Sequence, residues 1–267
     1  MSSASQPHRP LAVVTGASSG IGREIAHVLA EEGYDLLLCA EDPAVQEAQF
    51  DVPSLTVEAL QADLATYDGV EDLVEAVGDR AVDALVLNAG VAVGGPFVET
   101  DLDADLDLIA LNVTSVVHLA KRLLPRMVSA GRGRVLVTGS VTSMMPGPYY
   151  ATYSASKAFA LNFAQSIRYE LKDTGVTVTT MMPGPTDTEF FERAGMEDTR
   201  VGRSESKDDP ADVARDGVAA MLAGKDDAVV GSTVRNTLMS RASKALPERV
   251  KAATQARLTE PQDDDEG

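Results

Sequence analysis

The chain has 267 residues, 44% of them hydrophobic, and a net charge of −18. That length suits one well-buried domain, the acidity opposes binding to nucleic-acid phosphates, and no apolar run reaches the length a bilayer needs. Met1 to Pro10 is polar, without the apolar core of a signal peptide, and Cys39, the single cysteine, precludes an internal disulfide and fits a reducing cytoplasm.

Leu11 to Val14 is a short apolar run with β-branched residues and reads as a buried strand. Between Gly20 and Glu31 the residues Ile21, Ile25, Ala26, Val28 and Leu29 recur at helical spacing, and Gly33 supplies the stop. Asp35 to Ala40 and Thr56 to Gln61 predict two more strands, Leu64 to Val77 a helix, and Val82 to Leu87 a fourth strand. Leu102 to Met127 predicts one long helix and Arg134 to Thr138 a fifth strand. A helix carrying Tyr153 runs to about Lys172, followed by a sixth strand from Val176 to Met182. Residues 184–208 read as a mobile loop with a short helix, Pro210 to Leu222 as a helix and Ala228 to Val230 as a last strand. Arg241 to Leu258 is expected to form a final amphipathic helix.

Strands that are apolar throughout, alternating with helices, imply an α/β fold: one doubly wound parallel sheet with helices on both faces. On this reading residues 1–10 are a flexible N-terminus, 11–258 a single domain, and 259–267 an acidic disordered tail.

Thr15-Gly16-Ala17-Ser18-Ser19-Gly20-Ile21-Gly22 joins the first strand to the first helix. Glycines there permit a tight turn, a close approach to a pyrophosphate and close packing of helix on sheet. The helix N-terminus then meets the anion with free N–H groups and a positive dipole. Gly16-Ala17-Ser18-Ser19-Gly20 also matches Gly-x-Ser-x-Gly, the nucleophile elbow of α/β-hydrolases. That chemistry needs a later acid and then a histidine, and only His27 and His118 follow Ser18, both within helices. The elbow also leaves Gly22 and Tyr153 without a purpose.

Tyr153 and Lys157 stand four apart on one predicted helix, so phenol and ammonium share a face. A phenol near pKa 10 is a weak acid at neutrality, and bringing it to about 7 takes roughly 4 kcal/mol. One positive charge at about 4 Å supplies about that much at an effective dielectric near 20. Ser140 upstream adds a hydroxyl able to polarise a carbonyl.

Together these residues resemble the short-chain dehydrogenase/reductase family, from about Leu11 to Gly231. The glycine turn is similar to its dinucleotide turn, and Asn88-Ala89-Gly90 resembles its Asn-Ala-Gly motif, although Leu87 stands where many members have a further Asn. Asn112, Ser140, Tyr153 and Lys157 match its catalytic tetrad, and Pro183-Gly184-Pro185-Thr186-Asp187-Thr188 its nicotinamide loop. The resemblance implies a Rossmann-type fold and hydride transfer between an alcohol or carbonyl substrate and NAD(P)(H). Tyr153 would be the acid/base, Ser140 the oxyanion donor, Lys157 the cation, and Asn112 the organiser of a water. It implies cofactor contacts at Gly16, Ser18, Ser19, Gly20, Ile21, Gly22, Glu41, Asp63, Leu64, Asn88, Ala89 and Gly90. Tyr153, Lys157, Pro183, Gly184, Thr186 and Thr188 complete that set.

Many NADP-using relatives carry Arg at the position of Glu41, and many NAD users carry Asp where this chain has Ala40. Glu41 and Asp42 repel a ribose phosphate, which favours NAD(H), with Arg23 the one cation able to argue otherwise. Cys39 and His118 read as packing residues, and no His or Cys cluster suggests a metal. Met144, Met145, Tyr149 and Tyr150 are candidates for the substrate pocket, as are Val91, Val93, Phe97, Phe190 and Phe191, which suggest a hydrophobic substrate. By analogy with the family, the helices over 102–127 and 153–172 would pair across a two-fold axis in a homodimer or homotetramer. The competing reading is a non-catalytic dinucleotide sensor or scaffold on the same fold.

Overall fold

An apolar strand flanked by amphipathic helices hides both its faces only when helices cover the sheet from both sides. The computed structural model, which describes residues 9–231 and 248–261, has that arrangement. In chain order it contains β1 (Leu11–Thr15), α1 (Gly20–Glu31), β2 (Asp35–Ala40), β3 (Val57–Gln61), α2 (Tyr67–Val77) and β4 (Ala84–Leu87). Next come α3 (Leu102–Ile109), α4 (Ser115–Ala130), β5 (Gly133–Thr138), α5 (Ala151–Leu171) and β6 (Val176–Pro183). The chain continues through α6 (Phe190–Arg193), α7 (Pro210–Leu222), β7 (Asp227–Val230) and α8 (Glu248–Thr259).

The strands form one seven-stranded sheet in the order β3-β2-β1-β4-β5-β6-β7, and every neighbouring pair is parallel. Alternation along each strand divides the core in two. Val13, Leu37, Leu85 and Val135 face one way, toward Leu73 of α2, Leu123 of α4 and Ala164 of α5. Val14, Leu38, Val86 and Leu136 face the other, toward Ile25 and Leu29 of α1 and Val218 of α7. Each such Leu, Ile or Val contributes roughly 1.5–3 kcal/mol of burial. This is the doubly wound Rossmann arrangement expected from the sequence.

Local chemistry moves several boundaries. The helix expected from Leu64 starts at Tyr67, because Asp63 Oδ1 accepts from the Ala65 N–H at 2.8 Å and Thr66 caps through the Gly69 N–H at 3.0 Å. The helix expected to run unbroken over 102–127 is interrupted by a π turn at Ala110–Thr114 and extends to Ala130. Gly131, at φ +66°, ends it in a left-handed cap.

The start of the last helix expected at 241–247, the flexible N-terminus over 1–8, and the acidic tail over 262–267 lie outside the described residues. The described parts of those two termini, residues 9–10 and 259–261, make the following contacts. Arg9 donates to the Gly33 carbonyl at 3.1 Å, and Thr259, the last residue of α8, is 2% exposed. Pro261 forms a bridge with Thr199.

Candidate active site

From β1 the chain winds outward to β2 and β3, then returns to β4 on the other side, leaving a crevice at the carboxyl ends of β1 and β4. A cavity of about 370 Å³ opens there. Its floor at one end is the glycine turn. Gly16 and Gly20 adopt φ +66° and +52°, and a Cβ on Gly22 would lie 2.0 Å from the Gly16 carbonyl oxygen. The cap position of α1, Ser19, makes no side-chain cap hydrogen bond, so the first N–H groups of α1 remain available to an anion. Ser18, Ser19, Gly20, Ile21 and Gly22 all border the cavity.

Hydrogen bonds hold the ends of three strands together around this floor. Thr15 Oγ1 donates to the Val86 carbonyl and accepts from the Asn88 and Ala89 N–H groups at 3.0 and 3.1 Å. Asn88 Nδ2 donates to the Thr15 carbonyl at 3.1 Å, and its Oδ1 accepts from Thr138 Oγ1 at 3.0 Å. Asn88 therefore ties β1 to β5 while it borders the cavity with Ala89 and Gly90. Glu41 from the end of β2, and Asp63 and Leu64 beyond β3, form the far wall. Pro183, Gly184, Thr186 and Thr188 also line the cavity, with Thr188 against Gly20.

Tyr153 and Lys157 project from the first half of α5 and are 9% and 7% exposed. Two contacts set the entry of that helix: Ser154 Oγ donates to the Met145 carbonyl at 3.0 Å, and Ser156 Oγ to the Tyr153 carbonyl at 2.7 Å. Ser140 follows β5, and its Oγ accepts from the Thr142 N–H at 3.2 Å, which leaves its own proton free to donate. Ser140, Tyr153 and Lys157 share the cavity wall. The arrangement can deliver a proton and stabilise a developing oxyanion at one place.

The electrostatics differ from the sequence expectation. Burial pushes the Tyr153 phenol up to about 12, and the Ser140 hydroxyl pulls against that rise. Burial also pushes the Lys157 ammonium down to about 8. The ammonium lies 5.8 Å from the centre of the Tyr153 ring and donates to the Thr138 carbonyl at 3.0 Å. Burial thus acts on Tyr153 in the direction opposite to the shift expected from Lys157.

Asn112 does not border the cavity. It sits 2% exposed in the π turn, where its Oδ1 accepts from the Val91 N–H and its Nδ2 donates to the Val91 carbonyl, both at 2.9 Å. Nδ2 also donates to Ser156 Oγ at 3.0 Å. The amide thus joins the segment after β4 to the start of α5.

Of the residues expected around the substrate, Val91, Met145, Tyr150, Phe190 and Phe191 border the cavity. Met144, Tyr149, Val93 and Phe97 do not, and Phe97 is 66% exposed. Sequence reasoning missed Thr142, Arg193, Met196, Val201, and Gln255, Leu258 and Thr259 of α8. No local pattern marks them, because α8 reaches the cavity only by docking. Thr259 Oγ1 donates to the Pro148 carbonyl at 2.8 Å, and the Val201 N–H to the Leu258 carbonyl at 3.0 Å.

The elbow reading fails on geometry. Ser18 and His27 border a surface depression, but His27 stacks on Phe50 at 4.6 Å, and no hydrogen bond joins it to Ser18 or a carboxylate among the described residues. His118 Nε2 pairs with Glu71 at 2.7 Å. Cys39 is fully buried, with its thiol pushed up to about 12 by desolvation. Among the described residues no group of three His, Cys, Asp or Glu is placed to hold a metal ion, and no helix is long and apolar enough to cross a membrane.

The sequence profile described as short chain dehydrogenase matches residues 10–198. The chain belongs to the short-chain dehydrogenase/reductase family. It is 31% identical over 182 residues to the 3-oxoacyl-acyl-carrier-protein reductase of Vibrio cholerae, an alignment covering 67% of this chain and 75% of that protein. It is 35% identical over 180 residues to the very-long-chain 3-oxoacyl-CoA reductase of Mycosarcoma maydis, covering 63% of this chain and 51% of the reductase. The chain thus spans about half the length of that fungal relative. Among solved structures, the short-chain dehydrogenase from Sphingobium yanoikuyae in complex with NADPH superposes with a TM-score of 0.76 at 28% identity, covering 97% of this chain and 99% of that one.

Proposed function

We propose that this chain is an NAD(P)-dependent oxidoreductase that interconverts an alcohol and a carbonyl, with Tyr153 as the acid/base. The observation that carries this is the convergence of Ser140, Tyr153 and Lys157 on one cavity with the uncapped N-terminus of α1. The groove fits a dinucleotide, because Gly16 and Gly22 let the turn, α1 and the Asn88 segment pack closer than a Cβ allows, which brings the uncapped α1 N-terminus to the cavity edge. Gly16 to Gly22 would hold the pyrophosphate, Asp63 and Leu64 the adenine, Asn88 to Gly90 and Lys157 the ribose, and Pro183 to Thr188 the nicotinamide. When bound, the cofactor supplies or accepts a hydride.

In reduction Tyr153 gives its proton to the substrate oxygen as the carbonyl carbon gains hydride, and in oxidation the phenolate takes that proton back. Ser140 donates to the same oxygen and binds it more strongly as negative charge develops. Burial favours the neutral phenol, the form that reduction requires. Asn112 acts one step back, holding Val91 and Ser156 and so the start of α5 in place.

The cofactor is NAD(H) in preference to NADP(H). Glu41 and Asp42 both border the cavity, and two carboxylates repel a 2′-phosphate. Of the competing cations, Arg23 pairs with Glu24 at 3.3 Å, and Arg193, which also borders the cavity, pairs with Asp42 at 3.7 Å and with Glu189, so the repulsion rests chiefly on Glu41. Comparing KM for NADH and NADPH tests this preference, and a lower KM for NADPH rejects it.

The substrate side of the cavity is mostly apolar, with Met145, Phe190, Phe191, Met196 and Leu258 in its wall, which suits a hydrophobic ketone or secondary alcohol. Nicotinamide absorbance followed over a panel of ketones and alcohols tests the whole reading. No turnover of any member by protein shown to bind the cofactor would leave the sensor reading in its place. In a cytoplasmic setting the chain would work as a homodimer or homotetramer, since α3 exposes Leu102, Leu106 and Ile109 on one face. A monomer by light scattering opposes that assembly.

A further inference from the structure

The chain is poor in aromatic residues, with six Tyr, six Phe and no Trp. Four of them nevertheless border the cavity that holds Ser140 and Lys157: Tyr150, Tyr153, Phe190 and Phe191. Their rings form an unbroken series of contacts. Tyr150 lies 5.9 Å from Tyr153, Tyr153 lies 5.3 Å from Phe190, and Phe190 meets Phe191 edge-on at 5.4 Å. Such tilted pairs bring the positive edge of one ring toward the negative face of the next.

Phe190 is the member of the series with surface to offer. Tyr150 and Phe191 are 4% and 8% exposed, whereas Phe190 is only partly buried and borders the cavity. Its backbone is fixed at both ends, since the N–H donates to Thr188 Oγ1 at 3.3 Å and the carbonyl accepts from the Ala194 N–H at 3.0 Å. Two methionines enter the same wall from separate loops. Met145, before α5, is partly exposed, and Met196, after α6, is 3% exposed. A thioether is polarisable and makes favourable contacts with aromatic rings.

A carbonyl held by Tyr153 and Ser140 places its substituents along this wall. An alkyl group there gains only the area it buries. A flat ring also gains a contact with the Phe190 ring, which is worth more than area alone, and a contact with the Met145 sulfur. Loop packing accounts for Tyr150 and Phe191, which are closed off. It does not account for a partly open ring beside the proton donor.

We propose that Phe190, with Met145, forms an aryl subsite next to Tyr153. The preferred substrates are then ketones bearing a phenyl-like ring, or the matching secondary alcohols, and not aliphatic ketones of the same bulk. This deepens the oxidoreductase reading and rests on it.

The test uses the full chain and compares phenylacetone with cyclohexylacetone by nicotinamide absorbance. In both ketones a methylene separates ring from carbonyl, so conjugation does not alter reactivity. The aryl ketone should show a kcat/KM about fivefold above its saturated partner, equivalent to about 1 kcal/mol. Phe190→Leu keeps an apolar side chain, removes the ring and should bring that ratio close to one. Met145→Leu, a swap that conserves volume, should lower the ratio about twofold and serves if the first variant fails to fold. A wild-type ratio near one, or a higher ratio that neither variant lowers, overturns the subsite while reduction of both ketones leaves the oxidoreductase reading intact. Absence of turnover with every ketone and alcohol overturns both.

Discussion

Lys157 Nζ donates to the Thr138 carbonyl at 3.0 Å, so the last carbonyl of β5 fixes the ammonium beneath the cavity. The cation is thus positioned by the sheet, and it lies 5.8 Å from the centre of the Tyr153 ring. Lys157→Met would keep a similar stem and remove the charge. We expect a loss of about 10²-fold or more in kcat/KM, the scale of a general acid–base contribution, together with weaker binding of the ribose. Steady-state kinetics and a cofactor fluorescence titration on the same preparation check both, and wild-type kinetics would rule out the role.

Tyr153→Phe separates chemistry from binding. The substitution removes one hydroxyl from a ring that also packs against Phe190 at 5.3 Å, so the wall keeps its shape. Turnover should fall by about 10²–10⁴-fold while cofactor binding is spared. Retained activity in this variant would place the proton donor elsewhere.

The pH dependence follows from two buried groups shifted in opposite directions. Lys157 is pushed down to about 8 and Tyr153 up to about 12, both by desolvation. Reduction needs the protonated phenol and the ammonium, so its rate should be level below about 8 and fall as Lys157 loses its proton above it. Oxidation needs the phenolate, so its rate should climb with alkalinity. Rates at saturating cofactor in both directions test the pair of slopes. A reduction rate that rises through the alkaline range contradicts the assignment.

The glycine turn gives a stability prediction. A Cβ on Gly22 would lie 2.0 Å from the Gly16 carbonyl oxygen and 2.5 Å from Asn88 Nδ2. Neither can yield alone, because Asn88 is tied to Thr15 and Thr138. Gly22→Ala should cost about 1–3 kcal/mol, as overpacking does, and should weaken dinucleotide binding because the α1 N-terminus must move. Thermal melts with and without cofactor report the two effects.

What could be read from the sequence was local. The Tyr153–Lys157 spacing, the glycine turn and the apolar strands are patterns within a few residues, and helix and strand periods place them directly. Two kinds of feature escaped. The π turn at Ala110–Thr114 leaves the helical spacing of Leu108, Val116, Leu119 and Leu123 nearly intact, so periodicity passes over it. Gln255 and Leu258 reach the cavity because α8 docks on residues far away in sequence; the helix expected over 241–258 to be amphipathic carries, in its described part Glu-Arg-Val-Lys-Ala-Ala-Thr-Gln-Ala-Arg-Leu-Thr, no continuous apolar stripe to announce a buried face. The burial that pushes the Tyr153 phenol up was missed for a related reason. Coulomb attraction can be judged from spacing, whereas desolvation depends on what the rest of the fold stacks over the phenol.

Asn112 shows how a position matched to a catalytic set can act through structure. All of its polar atoms are engaged by the chain: Val91 at two points and Ser156 Oγ at a third. Removing the side chain takes both hydrogen-bond partners from the part-buried Val91 backbone and the donor from Ser156 Oγ, at about 0.5–1.5 kcal/mol for each bond lost. Asn112→Ala should therefore lower the melting temperature as well as activity, because Ser156 and the first turn of α5 lose a brace one residue from Lys157. Asn112→Asp keeps the acceptor for the Val91 N–H and loses the donor, so it should recover part of the stability. If Asn112→Ala melted like wild type while losing turnover, the amide would act on the chemistry itself and not through the brace.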